Sequence, residues 1–233
     1  VKPYNANEIV VSVGAKQAIC NAIEALIGPG DEVIMPTPCW VSYVEMVKIA
    51  QGKSVIIKTT MDNNFCLTAE QLEAAITPNT KLLMLCSPNN PTGSVYTLEN
   101  LKALVEVLKH HPQVAVLADE IYQHILYTGK HETLAQFPEL ENRLIVVNGV
   151  SKAYAMTGWR LGYAAGPEVI ISQMTKIHQF AIMCAPTTSQ YAAVEALKNG
   201  DEDVRKMVNA YDMRRRYLLH EFADMGIDCF EPF

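Results

Sequence analysis

A lysine and an arginine stand eight residues apart in Gly149-Val150-Ser151-Lys152-Ala153-Tyr154-Ala155-Met156-Thr157-Gly158-Trp159-Arg160. Apolar runs flank this stretch at 144–147 and 161–165, so it reads as a loop between two buried strands. A lysine deep in a protein loses hydration and holds its proton less tightly, as an amine nucleophile requires. Schiff-base chemistry uses such a lysine, and a fixed cation nearby, here Arg160, would hold an anionic cofactor. Taken alone, the loop is more simply an ordinary surface connection. Four further stretches reverse that reading.

The first is Gly14-Ala15-Lys16-Gln17-Ala18, between the β-branched run Ile9-Val10-Val11-Ser12-Val13 and a helical pattern with Ile19, Ala22, Ile23, Leu26 and Ile27 on one face. A strand, a glycine and a helix start offer free backbone N–H groups to a phosphate. Lys16 in the first helical turn opposes the helix dipole, which hints at an anion there. The second is Trp40, after the short strand Val33-Ile34-Met35 that Pro36 and Pro38 should end. Open α/β sheets bind ligands at this edge, and an indole there is either core or a platform for a planar ring. The third is Ser87-Pro88-Asn89-Asn90-Pro91-Thr92-Gly93, a constrained turn that would hold the Asn90 amide rigidly after the strand at 81–86. The fourth is Asp119-Glu120-Ile121-Tyr122, closing the apolar strand at 114–118. Acidic residues there are costly unless partnered, and a helix cap is the plainest role for Asp119.

These residues need a scaffold. The patterns predict helices over 41–50, 167–180, 187–197 and 201–225, and a strand over 54–58. Thr68 with Gln71 forms a capping box for a short helix, and Thr97 caps another that runs to His110. Little room for a crossover lies between 144–147 and 161–165, so that pair should be antiparallel within an otherwise parallel sheet. Ile227-Asp228-Cys229-Phe230 should begin a further strand. The expected fold is α/β: a mostly parallel seven-stranded sheet with one antiparallel strand and helices on both faces.

The 233 residues suffice for one large domain or two small ones. Nineteen basic against twenty-five acidic residues give a net charge of −6, which argues against nucleic acid as a partner. Arg214-Arg215-Arg216 lies in a helical pattern and reads as a solvated face. No stretch is long and apolar enough to span a bilayer and no signal peptide opens the chain, so no membrane partner is expected. Six scattered cysteines without a C-x-x-C pair, several in apolar segments, point to buried free thiols in a reducing, cytoplasmic compartment. Six histidines without zinc spacing suggest no metal. Val1-Lys2-Pro3-Tyr4 lacks a methionine and Glu231-Pro232-Phe233 stops just after a strand-like run, so a longer parent chain is expected.

The stretches Gly14-Ala15-Lys16-Gln17-Ala18, Ser87 to Gly93 and Asp119-Glu120-Ile121-Tyr122, with the Ser151 to Arg160 part of the lysine loop, together resemble the class I pyridoxal-phosphate-dependent aminotransferases, and most closely the bacterial aspartate aminotransferases. The resemblance covers nearly the whole chain in the family's order and spacing. It implies a cofactor-binding large domain over 1–200, then a connecting helix and the start of a C-terminal small domain over 201–233. It further implies pyridoxal 5'-phosphate bound as an internal aldimine by Lys152, which also shuttles the substrate proton. Asp119 would pair with the pyridine nitrogen, Asn90 and Tyr122 with the phenolic oxygen, and Trp40 with the ring face. Arg160 and the N–H groups of Ala15 and Lys16, in the cofactor-binding turn at Gly14, would hold the phosphate. Lys16, with Trp40 and Asn90, would meet the substrate.

A lysine at the position of Lys16 implies an acidic amino acid, aspartate with 2-oxoglutarate, in a ping-pong reaction carried out by a cytoplasmic homodimer. Many relatives carry a phosphate-binding serine three positions before the lysine, where this chain has Gly149; Ser151 is the candidate substitute. The family's α-carboxylate arginine lies beyond Phe233, and the tyrosine lent to the neighbouring subunit precedes Val1. These residues alone should therefore bind the cofactor yet transaminate poorly. Carbon–sulfur lyases and aminocyclopropane-carboxylate synthases on the same fold are the alternatives, with cofactor-sensing domains of transcription regulators.

Overall fold

Aliphatic runs with alternating neighbours assemble into a single sheet in the computed structural model, which describes residues 3–233; the expected cut start at Val1 and Lys2 lies outside the described residues. The strands are β1 (Ile9–Ser12), β2 (Glu32–Thr37), β3 (Lys53–Lys58), β4 (Thr80–Cys86), β5 (Ala115–Asp119), β6 (Leu144–Gly149) and β7 (Gly162–Ala165). Their order is β1-β7-β6-β5-β4-β2-β3. Only β7 runs against the rest, antiparallel to both β6 and β1. The link from β6 to β7 holds one short 3-10 turn, Thr157–Trp159, and no helix to carry the chain back for a parallel return.

The helices are α1 (Ala15–Leu26), α2 (Ser42–Ile49), α3 (Ala69–Ala75), α4 (Leu98–Lys109), α5 (Glu168–Ile182), α6 (Thr187–Asn199) and α7 (Asp201–Asp224). Alternation along β4 and β5 divides the core in two. Leu82, Met84 and Leu117 pack with Ile19, Ile23, Val47 and Met174 from α1, α2 and α5. Leu83, Leu85 and Val116 pack with Leu72, Leu101, Leu104 and Leu108 from α3 and α4 on the other face. Each such side chain, taken fully out of water, contributes about 1.5–3 kcal/mol. Both predicted caps form: Thr68 Oγ1 accepts the Gln71 N–H at 3.3 Å and Thr97 Oγ1 accepts the Asn100 N–H at 3.2 Å.

Three expectations fail. Pro36 does not end β2, which runs on to Thr37 with Pro36 opposite Ile57 of β3; pairing with β4 is recorded only from Glu32 to Ile34, so the missing N–H is tolerated there. Residues 227–230 form no strand. They have no strand to pair with among the described residues, and Phe230 instead meets Phe65 edge-on at 5.2 Å. The three arginines of α7 are not one solvated face. Arg216 is exposed, whereas the Arg215 side chain is 10 % exposed and bridges Asp212 and Glu231 at 2.8 Å each. No described helix is long and apolar enough to cross a membrane.

Candidate active site

The strand ends and helix starts at one edge of the sheet enclose a cavity of about 220 Å³. Ala15, Lys16, Trp40, Asn90, Asp119, Tyr122, Lys152 and Arg160 all line it. They come from five separate stretches of sequence, and the parallel sheet gathers them because each stretch leaves its strand at the same edge.

Asp119 forms the floor, 4 % exposed at the end of β5. Its Oδ2 accepts a hydrogen bond from the Tyr43 hydroxyl at 2.6 Å, and its Oδ1 accepts the Ile121 N–H at 3.2 Å. Burial pushes the carboxyl up to about 6, with the charge of Glu120 adding to the rise; the Tyr43 and Ile121 donors and the Lys152 charge act against it. Tyr43, 3 % exposed on α2, was not among the residues singled out from the sequence. Its place three residues after Trp40, in the first turn of the helix, is the signal the sequence offers. No helix follows Asp119, so it caps none. Glu120 is partnered as burial demands: Thr133 Oγ1 donates to it at 2.6 Å, and His131 Nε2 lies 3.0 Å from its second oxygen. That histidine contact is an ion-pair distance without hydrogen-bond alignment.

One corner is built by backbone. No side chain caps α1, and Gly14 precedes it at φ +78°, so the N–H groups of Ala15 and Lys16 point outward without an intrahelical partner. A Cβ on Gly14 would lie 2.5 Å from Arg160 Nη2. Only glycine lets the guanidinium approach the helix start this closely. The Arg160 Nη1 donates to the Thr157 carbonyl at 2.8 Å, which fixes the fork. Gly149 faces Gly162 across β6 and β7, and a Cβ there would sit 2.9 Å from Gly162 Cα and from the Leu161 carbonyl oxygen. The strands leave no room for a serine at 149, while Ser151, buried, lines the cavity.

The walls are aromatic and amide. Trp40 meets Tyr43 edge-on at 5.5 Å, and Lys16 Nζ lies 4.8 Å from the Trp40 ring centroid. Asn90 Nδ2 donates to Tyr122 Oη at 3.4 Å. Its neighbour Asn89 locks the turn by donating to the Pro38 carbonyl at 3.0 Å and to Thr92 Oγ1 at 2.8 Å, which leaves Asn90 free to face the cavity. Lys152 Nζ lies 5.7 Å from the Tyr122 ring. The expectation of a deeply buried lysine is corrected here: Lys152 is exposed. It stands in the turn beyond β6, where the cavity opens into a second and wider one of about 710 Å³.

Comparison with known proteins places this arrangement. The family model "Aminotransferase class I and II" matches residues 1–232. The aspartate aminotransferase of Rhizobium meliloti (strain 1021) is 46 % identical over 98 % of this chain and 57 % of its own length. A bifunctional aspartate aminotransferase and glutamate/aspartate-prephenate aminotransferase of Petunia hybrida is 44 % identical over 98 % of the chain and 49 % of its own. The structure of Thermus thermophilus aspartate aminotransferase with maleate superposes with a TM-score of 0.92 at 41 % identity, covering 97 % of this chain and 59 % of that one. The chain thus spans about half to three-fifths of the length of the relatives it matches. With one edge of the sheet gathering the same lysine loop, acidic strand end and helix start that carried the resemblance, the chain belongs to the class I and II aminotransferases.

Proposed function

We propose that the full-length protein transaminates an acidic amino acid, aspartate with 2-oxoglutarate, at this cavity with pyridoxal 5'-phosphate as cofactor. The observation that carries the reading is that Lys152 and Asp119 face one cavity whose corner is the uncapped start of α1 beside Arg160. The donor set fits the group: a buried carboxyl for the ring nitrogen and two open N–H groups with a guanidinium for a phosphate. The absent Cβ at Gly14 lets the Arg160 guanidinium stand beside those N–H groups, where one phosphate would meet both. Bound there, pyridoxal phosphate supplies a ring that accepts the electrons left on the substrate's α-carbon.

The chain's own residues do the rest. Asp119 keeps the ring nitrogen protonated, and Tyr43 and the Ile121 N–H hold its carboxylate in place. Asn90 and Tyr122 bind the ring's phenolic oxygen, and Trp40 covers the ring face. Ser151 stands in for the serine that Gly149 excludes. Lys152 tethers the cofactor through Nζ and takes and returns the substrate's α-proton. Lys16, exposed with no carboxylate within ion-pair distance among the described residues, meets the substrate's side-chain carboxylate. The relative solved with maleate, a dicarboxylate, supports an acidic substrate.

Two half-reactions run in turn at the one site, a ping-pong scheme. Residues 1–200 make up the cofactor-binding large domain, and 201–233 lead into a small domain. The proposed assembly is a homodimer, and six free thiols, of which only Cys66 and Cys86 are buried, support a reducing, cytoplasmic setting. Full-length protein should carry a visible, borohydride-reducible chromophore that aspartate bleaches and Lys152→Ala lacks. A chromophore that survives in Lys152→Ala overturns the assignment. Lys16→Ala should weaken aspartate far more than alanine in single-turnover half-reactions; equal losses would reject the acidic-substrate reading.

A further inference from the structure

The sign of the charge along the two connected cavities is unlike that of the protein. The chain carries −6 overall, yet the side chains lining both cavities include Lys16, Lys152, Arg160, Arg214 and Arg215, and a single carboxylate, Asp119. No acidic residue among the described ones lines the outer cavity. Tyr122, Ser151, Lys152 and Thr157 line both, so the outer space opens onto Lys152.

The two outer arginines differ in what they are free to do. Arg215 is neutralised by Asp212 and Glu231, stacks 5.2 Å from the Tyr127 ring and donates to the Pro232 carbonyl at 3.3 Å. It builds the wall. Arg214 is exposed, and no carboxylate lies within ion-pair distance of it among the described residues. Its neighbours one turn away on α7 are Ala210, Tyr211, Tyr217 and Leu218, none of them acidic. Its guanidinium lies 5.8 Å from the Tyr211 ring centroid, which leaves the charge facing the cavity uncompensated. A cleft lined by one sign of charge with low-dielectric aromatic walls concentrates counter-ions of the opposite sign.

We propose that the outer cavity is an anion-collecting vestibule for small dicarboxylates and that Arg214 is its working charge. Arg214 draws the dianion toward Lys152 and Lys16 and takes no part in the chemistry. The inference rests on the acidic-substrate reading for its ligand class, though not for its electrostatics. It assigns a purpose to the one member of the arginine triplet that is neither paired nor outside the cavities.

Titration of the full-length holoenzyme with succinate, an unreactive dicarboxylate, tests it at two ionic strengths. Arg214→Gln should weaken succinate about fivefold at an ionic strength of about 0.01 M, where the Debye length is about 30 Å, and hardly at all at about 1 M, where it is about 3 Å. Arg214→Lys should restore most of the affinity. Arg216→Gln removes the same charge two residues along, from a side chain that lines neither cavity and is paired with Asp212, and should weaken binding clearly less than Arg214→Gln. In steady state Arg214→Gln should lower kcat/KM for aspartate and spare kcat. Unchanged succinate affinity in Arg214→Gln at low salt, or an equal loss in Arg216→Gln, overturns the proposal. If the wild-type enzyme binds succinate in an Arg214-dependent way yet does not turn over aspartate, the vestibule stands and the substrate reading falls.

Discussion

β5 and α7 border the same site and are held by opposite means. All five residues of β5 are buried, sandwiched between β4 and β6 and covered on both faces. Of the twenty-four residues of α7 only Val204 is buried, and Tyr217, Met213 and Leu218 are largely exposed. The strand is fixed by packing that any small change disturbs. The helix is fixed near its far end by one side chain, Arg215, reaching Asp212, Glu231 and Tyr127. The difference separates groups that must hold still, such as Asp119, from groups that only need to point into open space, such as Arg214.

The contrast can be broken most directly at its centre. Leu117→Ala, at a fully buried position in β5, should cost about 2–5 kcal/mol in denaturant unfolding of the full-length protein. Within the 233-residue chain, where Tyr217 is exposed on α7, Tyr217→Ala should change stability by less than about 0.5 kcal/mol; equal losses would show that α7 is packed as tightly as the sheet. Asp119 sharpens the same point through pH. Its folded carboxyl, at about 6, lies above the usual 3.8, so the folded state binds the proton more tightly than the unfolded one. Stability from this group is complete below about pH 4 and lost as pH rises through about 6, about 3 kcal/mol in all for the cofactor-free protein. Asp119→Asn should flatten that part of the stability profile, as read from chemical denaturation at a series of pH values. Smaller still, Thr97→Ala at the start of α4 should cost about 1 kcal/mol, because the Asn100 N–H loses its acceptor.

Much of the scaffold could be read from the sequence because its causes are local. Both threonine caps, the seven strands and the reversal at β7 follow from residue pattern, capping chemistry and connection length. The failures have non-local causes. Whether Ile227-Asp228-Cys229-Phe230 becomes a strand depends on a partner strand, not on its own β-propensity. The Tyr43–Asp119 bond joins residues seventy-six apart, and no spacing rule reaches that far. Arg215 reads as one of three surface arginines until Glu231 and Tyr127 fold back on it. Lys152 sits between two apolar strands in sequence, but the loop carries it past their ends to the cavity mouth, so its neighbours' burial says nothing of its own.

The glycine pair where β6 meets β7 has a mechanical corollary. Because Gly149 and Gly162 touch backbone to backbone, the connection carrying Lys152 and Arg160 is clamped at its root like a hairpin. Amine and guanidinium hang from opposite sides of that clamp, so a slide of β6 against β7 would alter the distance between them, and the fixed register keeps it constant.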